Sequence, residues 1–549
     1  MAQSESQSHR AARVLPAVVV LLLAAAAYGA IATNVFHNGG ISFAEGLYMV
    51  KSWWYVTGAA APYTATDATR TTPLYFYLLG WWQSLAGIGV VPARALSCGL
   101  GLVNGALLFA ICRRLTGNVL AAAAAVMLLL ATPTTAFYFA MAVPTATVSA
   151  LHLAAIWLIV AGLGRPRVGA TIVFGLICVA LYFTRQNMIL AVVMLAPLYV
   201  AAIGRGRWLH AALLLATMAI ATAALLLVFP DRLAGYAMHL PVITPYLERW
   251  GVLPTDLALI DEGTTGPTTM ALALDRLHLA DFVNGFLLPF SGIVALALLL
   301  FFVAGRGLRV LWIAPLYFAA LVAGHFVATA GNCTTCLPDY GSTYMAAGAL
   351  AAALTLAVLA SRVRHSKTPP ALVIVGGALI ATGMNVFAPA LATRDEYLFF
   401  PAPLLAQSGT GSAPSEIDPF AQWLATSIPM GEPILLIHNL GGLPYAVFRA
   451  GHVFPVQNFN PAATHRVLRP RLSSTTREAV QAAVEAESLW TDDTLRRWLE
   501  RDYDLVLFQD NKAVDQSAIV AVLTQRFDVA GTTTFHGANL ILYKRKPAQ

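Results

Sequence analysis

Over the first 390 positions apolar residues run in long stretches, with no polar face at either helical or strand period. Stretches of about 17–25 such residues can cross a bilayer core as helices. Eleven are readable: 13–34, 93–112, 118–138, 147–163, 168–184, 187–204, 208–229, 285–304, 310–329, 343–360 and 370–390. Beyond residue 390 the pattern changes. Residues 391–414, which end in PAPLLAQSGTGSAP, read as a tether rich in Pro, Gly and Ser. Short apolar runs then alternate with amphipathic segments. They predict a helix over 418–427, a strand at Ile434–His438 and a Gly-Gly-Leu-Pro turn into a second short helix. Helices over 476–488 and 491–501, a strand at Asp504–Phe508, a helix over 514–525 and closing strands over 527–533 and 538–544 follow. The expected fold is a polytopic α-helical membrane protein of about eleven transmembrane helices. A membrane domain over 1–390 precedes a C-terminal α/β domain over 415–549.

Composition sharpens this picture. Only 11% of the 549 residues are charged, against about 25% in soluble domains, and mean hydropathy is +0.68. A disordered chain, a coiled coil and an ordinary soluble enzyme are excluded. Residues 1–390 hold 20 Lys/Arg and 11 Asp/Glu, whereas residues 391–549 hold 14 and 16. The net charge of +7 therefore belongs to the membrane part and reads as topology, not as nucleic-acid affinity. Five cysteines are too few for a disulfide scaffold.

Thirteen of those 20 cations fall in connectors on one side of the eleven segments: Arg10 and Arg13, Arg113 and Arg114, Arg165 and Arg167, Arg205 and Arg207, Arg306 and Arg309, and Arg362, Arg364 and Lys367. Only Glu5 joins them among the acids. The positive-inside rule then puts the N-terminus in the cytoplasm and the C-terminal domain outside. No small-residue cleavage site follows the first segment, which reads as a retained span. Thr72–Gly87 is apolar but short. As a span it would move every later Arg pair outside, so it is expected as an interfacial helix with Trp81 and Trp82 at headgroup level. The outer face then comprises a first loop (35–92), a long loop (230–284), a short loop (330–342) and the C-terminal domain. Function is expected there, because the inner connectors are too short to build a site.

The sequence contains no P-loop, no kinase signature, no G-x-S-x-G and no His/Glu array with metal spacing. The first loop carries the most chemistry. Glu45 opens a helical pattern (Leu47, Met49, Val50, Trp53, Trp54) directly after the first span. A carboxylate against an apolar, aromatic surface suits general-base work. The competing readings are a solvated surface Glu and a helix N-terminal charge.

The segment Glu45-Gly46-x-Tyr48, a Gly…Pro-Tyr stretch some fifteen residues on, and Thr72-Pro73-Leu74-Tyr75-Phe76-Tyr77 together resemble the first outer loop of GT-C membrane glycosyltransferases. Those include the bacterial protein O-mannosyltransferase-like and aminoarabinose-transferase-like enzymes. Ala93–Ser97 through Cys112–Gly117 and the Tyr182–Asn187 turn (YFTRQN) are also similar to that family. The resemblance covers roughly residues 13–210; beyond it the likeness is one of layout. It implies an inverting transferase whose donor is a polyprenyl-phosphate-linked sugar, and whose acceptor is a glycan, lipid or protein of the cell envelope. It implies a bacterial inner-membrane location and Glu45 as the base. Many members carry a second acid between the third and fourth spans. Here that loop, Ala140–Ala146, has none, so Glu45 is expected to act alone and no metal site is implied, although a divalent ion stays open.

A leaving phosphate needs cations. Arg185 ends the fifth span and is the first choice, because Arg offers two donors to phosphate; snorkelling to the interface is the alternative. Lys51, Arg94, Arg70 and Arg394 are further candidates. Asp67, Arg70, His325 and Tyr344 are candidates for lining the cavity or holding the acceptor. Asp67 also reads as a loop cap, and His325 as a helix-packing histidine. Cys333 and Cys336 are a disulfide candidate. The C-terminal domain lacks a phosphate loop and a nucleophile motif, and reads as an accessory to the outer face. A transporter or flippase of lipid-linked glycans and a non-catalytic envelope-assembly protein remain the alternatives. A transporter would show internal repeats or broken helices with polar groups, and no repeat is visible.

Overall fold

The computed structural model describes residues 2–59, 73–163, 167–204, 206–228, 282–329, 337–363, 369–391, 414–438, 440, 442–454, 498–510 and 517–547. Their contacts divide the chain into two compact units. One comprises Met1–His37, Val91–Leu225 and Leu277–Ser408; the other comprises Asn38–Val90, Leu226–Arg276 and Gly409–Gln549.

The first unit is a helical bundle. Its described elements are α1 (Ala2–Asn38), α4 (Val90–Thr116), α5 (Val119–Leu130), α6 (Pro133–Ala140), α7 (Thr145–Gly162), α8 (Val168–Thr184), α9 (Ile189–Ile203), α10 (Arg207–Val228), α11 (Ser291–Val303), α12 (Ile313–Thr329), α13 (Leu337–Arg362) and α14 (Pro370–Phe387). Among the described residues six helices are long and apolar enough to cross a membrane, and α5 with α6 makes a seventh if the bent pair is one span. Shorter apolar helices occupy the other expected segments.

The segment expected as one span over 118–138 is broken. α5 and α6 meet at 69° because Pro133 starts a new helix at Thr132, whose ψ of 116° is extended. Proline disfavours helical geometry in the residue before it and has no N–H for the preceding turn. The break is buried, and the Thr132 hydroxyl there donates to the Leu128 carbonyl and is itself tied to a remote helix. Asn385 of α14 donates to Thr132 Oγ1 (2.9 Å) and accepts the Gly292 N–H at the start of α11 (2.8 Å). α5 is buried on every face, as is most of α13. Both are rich in alanine, whose small side chains let neighbouring helices approach closely.

The second unit joins the first loop to the C-terminal residues. Its helices are α2 (Phe43–Thr57), α3 (Leu74–Ala86), α15 (Pro414–Ser427), α16 (Leu443–Arg449) and α17 (Ser517–Arg526), with strands β1 (Ile434–Ile437), β2 (Leu505–Gln509), β3 (Phe527–Phe535) and β4 (Ala538–Arg545). The sheet order is β1-β2-β4-β3. β1 and β2 are parallel with Leu436 beside Leu507, and β2/β4 and β4/β3 are antiparallel. A parallel pair needs a crossover, which residues 438–504 supply. The β3–β4 hairpin closes at His536 and Gly537, both with positive φ, the geometry that two-residue hairpins require. Leu435, Ile437, Leu499, Val506, Phe508, Leu523, Phe527 and Tyr543 form its core.

Most expected elements of this region appear within a few residues. The first helix begins earlier, at Pro414, and within 491–501 the described part is a π-helical turn, Trp498–Asp502. The expected helix over 476–488 lies outside the described residues, as does 392–413 of the tether.

Candidate active site

Glu45 sits in the first turn of α2. Ser42 caps that helix in extended conformation, its Oγ accepting the Glu45 N–H at 3.1 Å, which satisfies one of the orphan donors at a helix start. The Glu45 side chain is fully buried. So is Lys51, although the two lie about 240° apart around an ideal helix. Both are enclosed because α2 is covered on more than one face. α3 packs on one side: Gly80 comes so close that a Cβ there would meet the Ser52 carbonyl oxygen at 2.1 Å, and Gln83 Nε2 donates to the Met49 carbonyl (3.1 Å). α16 packs on another, where a Cβ on Gly46 would lie 3.3 Å from the Tyr445 Cβ.

The surroundings of α2 are aromatic. The Lys51 ammonium stands 4.7 Å from the Phe76 ring centre and 5.6 Å from that of Tyr55, a cation–π arrangement. Tyr48 meets Phe76 edge-on at 5.2 Å, and Trp54 packs on Phe454 at 5.1 Å. α3 buries Tyr75, Phe76 and Leu79 against α2 and leaves Trp81 59% exposed. Its 13 residues extend about 20 Å, short of a bilayer core of about 30 Å.

The first unit holds a second polar centre. Arg185 is the C-cap of α8, in extended conformation, so its side chain leaves the helix end. Its Nη2 donates to Asp339 Oδ2, its Nη1 donates to Thr343 Oγ1 at 3.2 Å, and its guanidinium carbon stacks 4.2 Å from the Tyr340 ring centre. Asp339 Oδ1 accepts the Thr145 hydroxyl. Arg185 and Asp339 side chains are 11% and 19% exposed. Asn187 Nδ2 donates to the Tyr344 hydroxyl (3.3 Å). Residues 339, 340, 343 and 344 share the first two turns of α13, at i, i+4 spacings that place partners on one face.

Three elements meet here that are remote in sequence: the start of α7, the end of α8 and the start of α13. Asp339 was not among the residues singled out from the sequence. Its signal is an acid at the mouth of a long apolar segment, a costly placement unless it is paired. Its hydroxyl partner, Thr145, belongs to the connector Ala140–Ala146, which carries no carboxylate.

Arg94 is buried in α4 and donates through Nη1 to the Val35 carbonyl of α1. His325 lies in α12, its side chain outside the described residues, as are Asp67, Arg70, Cys333, Cys336 and Arg394. Among the described residues no group of three or more His, Cys, Asp or Glu is placed to hold a metal ion.

Neither models of protein families nor curated proteins match the sequence. Solved structures do. ArnT from Cupriavidus metallidurans bound to undecaprenyl phosphate is similar over 96% of this chain and 97% of its own, at 15% identity and a TM-score of 0.57. The same protein in its apo state is similar over 98% of both chains, at 14% identity and a TM-score of 0.54. The chain therefore shares the fold of ArnT.

Proposed function

We propose that the protein is an inverting glycosyltransferase that moves a sugar from a polyprenyl-phosphate donor to an acceptor hydroxyl of the cell envelope, at the outer face of a bacterial inner membrane. The acceptor oxygen attacks the anomeric carbon while the bond from that carbon to the phosphate oxygen breaks. The phosphate leaves with the bonding pair, Glu45 takes the acceptor's proton, and one displacement inverts the anomeric centre. The transition state is oxocarbenium-like, as in glycoside hydrolysis.

The observation that carries this reading is Glu45: a fully buried carboxylate on the first-loop helix, whose neighbouring residues Tyr48, Lys51 and Trp54 pack on aromatic rings. Burial of a carboxylate is costly, and functional sites are where such a cost is commonly met. The end-to-end likeness to a structure of ArnT bound to undecaprenyl phosphate supports the donor class. Arg185 is assigned to the donor phosphate, since its planar fork suits phosphate oxygens. Lys51 and Arg94 are the other cations assigned to phosphate, and Tyr344 belongs to the polar surroundings of Arg185.

The test compares envelope glycans by mass spectrometry in wild type, a deletion strain and Glu45→Gln at equal membrane levels. Loss of the same sugar in the deletion and in Glu45→Gln is expected, with purified Glu45→Gln slower by roughly 10²–10⁴-fold. If only the deletion loses the sugar, Glu45 is not the base.

A further inference from the structure

The Arg185–Asp339 pair poses a problem for a phosphate site. A guanidinium reserved for an anionic ligand is already occupied by a carboxylate. Left without an anion in this setting, an 11% exposed Arg would be uncompensated. We propose that Asp339 is an exchangeable counter-ion: it holds Arg185 while the site is empty, yields the guanidinium edge to the lipid phosphate, and returns to help expel the product. This rests on the reading of Arg185 as the phosphate ligand.

Three features fit exchange better than a permanent bridge. Asp339 divides its oxygens, one for Arg185 and one for Thr145. When phosphate takes the guanidinium edge, the Thr145 hydroxyl still donates to the carboxylate. Arg185, for its part, is also held by two groups that carry no charge: Thr343 on Nη1 and the Tyr340 ring on its face. The guanidinium therefore keeps its place while its anion changes. Asp339 is also the more exposed partner, so water can solvate it during the exchange.

The chemistry supplies the need. The donor is a phosphodiester with one negative charge. The product is a phosphomonoester, whose second ionisation near pH 6 gives it up to two. An Arg that binds the donor well holds the product better, and a site of this kind tends to be slow to empty. A tethered carboxylate competes with the departing phosphate at no cost in translational freedom, and acts most strongly at the step where release is hardest.

The experiment titrates purified full-length protein in detergent with undecaprenyl phosphate and measures steady-state turnover. Asp339→Asn keeps an oxygen for Thr145 and removes the competing charge. It should bind undecaprenyl phosphate roughly tenfold more tightly, as expected for one charge-assisted contact no longer in competition. kcat should fall together with KM for the donor. Thr145→Val removes the resting partner of Asp339, ties it more closely to Arg185, and should weaken undecaprenyl phosphate binding. Should Asp339→Asn fail to fold, Thr145→Val decides alone. A purely structural bridge would lower thermal stability in Asp339→Asn and leave phosphate binding unchanged or weaker; either result overturns the exchange. Arg185→Gln separates the two claims. If it leaves undecaprenyl phosphate binding intact, the assignment of Arg185 fails first. If it weakens binding while Asp339→Asn does not strengthen it, the assignment stands and the exchange fails.

Discussion

At the scale of single residues, two buried ionisable groups on one helix and one ion pair at the end of another carry the functional reading. Glu45 and Lys51 are enclosed by α3 and α16; Arg185 is oriented by Asp339, Thr343 and Tyr340. Arg185 offers a fork and a stacking plane that lysine lacks. Arg185→Lys should therefore keep the charge yet lose much of the binding, with donor KM raised several-fold; Arg185→Gln should raise it by roughly ten- to a hundredfold. Kinetics with a synthetic polyprenyl-phosphate sugar would check both. Equal KM in the lysine variant and the wild type would reduce Arg185 to a point charge.

At the scale of elements, close approaches decide which helices can meet. A Cβ on Gly292 of α11 would lie 2.0 Å from the Ala381 carbonyl oxygen of α14, whereas one on Gly376 of α14 would meet nothing within 4 Å. Gly292→Ala should lower stability by roughly 1–3 kcal/mol through overpacking. Gly376→Ala should be neutral or slightly stabilising, since alanine is the better helix former. Thermal unfolding in detergent measures both.

The end of β1 gives a pH prediction. Burial pushes His438 down from its ordinary 6.5 to about 4, and its Nδ1 accepts the Leu440 N–H at 3.0 Å, a bond that needs the neutral ring. The folded form thus binds fewer protons than the unfolded chain. The contribution of this histidine is fully present above pH 6.5 and is lost as pH falls through about 4. Melting temperature should drop across that window, and less steeply in His438→Asn, which keeps an acceptor without the titration. Equal slopes would remove His438 as the cause.

At the scale of the whole molecule, the positive-inside pattern predicts that the C-terminal domain faces away from the cytoplasm. A protease-cleavable tag after Gln549 should be cut in intact spheroplasts, and cutting only after lysis would reverse the assigned orientation. The layout of a long helical bundle followed by a small α/β sheet was legible in the chain. Hydrophobic length announces spans, and alternating short runs announced the strands at 434–438, 504–508 and 538–544. The break between α5 and α6 was less legible, although Thr132-Pro133 marks it. In a run of apolar residues, nothing local shows that a buried Asn from α14 will donate to the Thr132 hydroxyl at the break.

The candidate site divides in the same way. Glu45 and Arg185 stand out in the sequence because each is a rare charge next to apolar residues, and the cost of such a placement is a local property. Asp339 carries the same local signal, but its role came only with the fold, since its partners Thr145 and Arg185 lie 194 and 154 positions away. The enclosure of Lys51 is likewise tertiary. The helical pattern of α2 gives its residues their angles, but the packing of α3, next along the chain, and of α16, from a distant part of it, decides that more than one of its faces is inside. Hydropathy, charge and turn chemistry act over a few residues and were determined by the sequence alone. Pairing of charges and covering of faces depend on which distant elements pack together, and only the tertiary structure decided them.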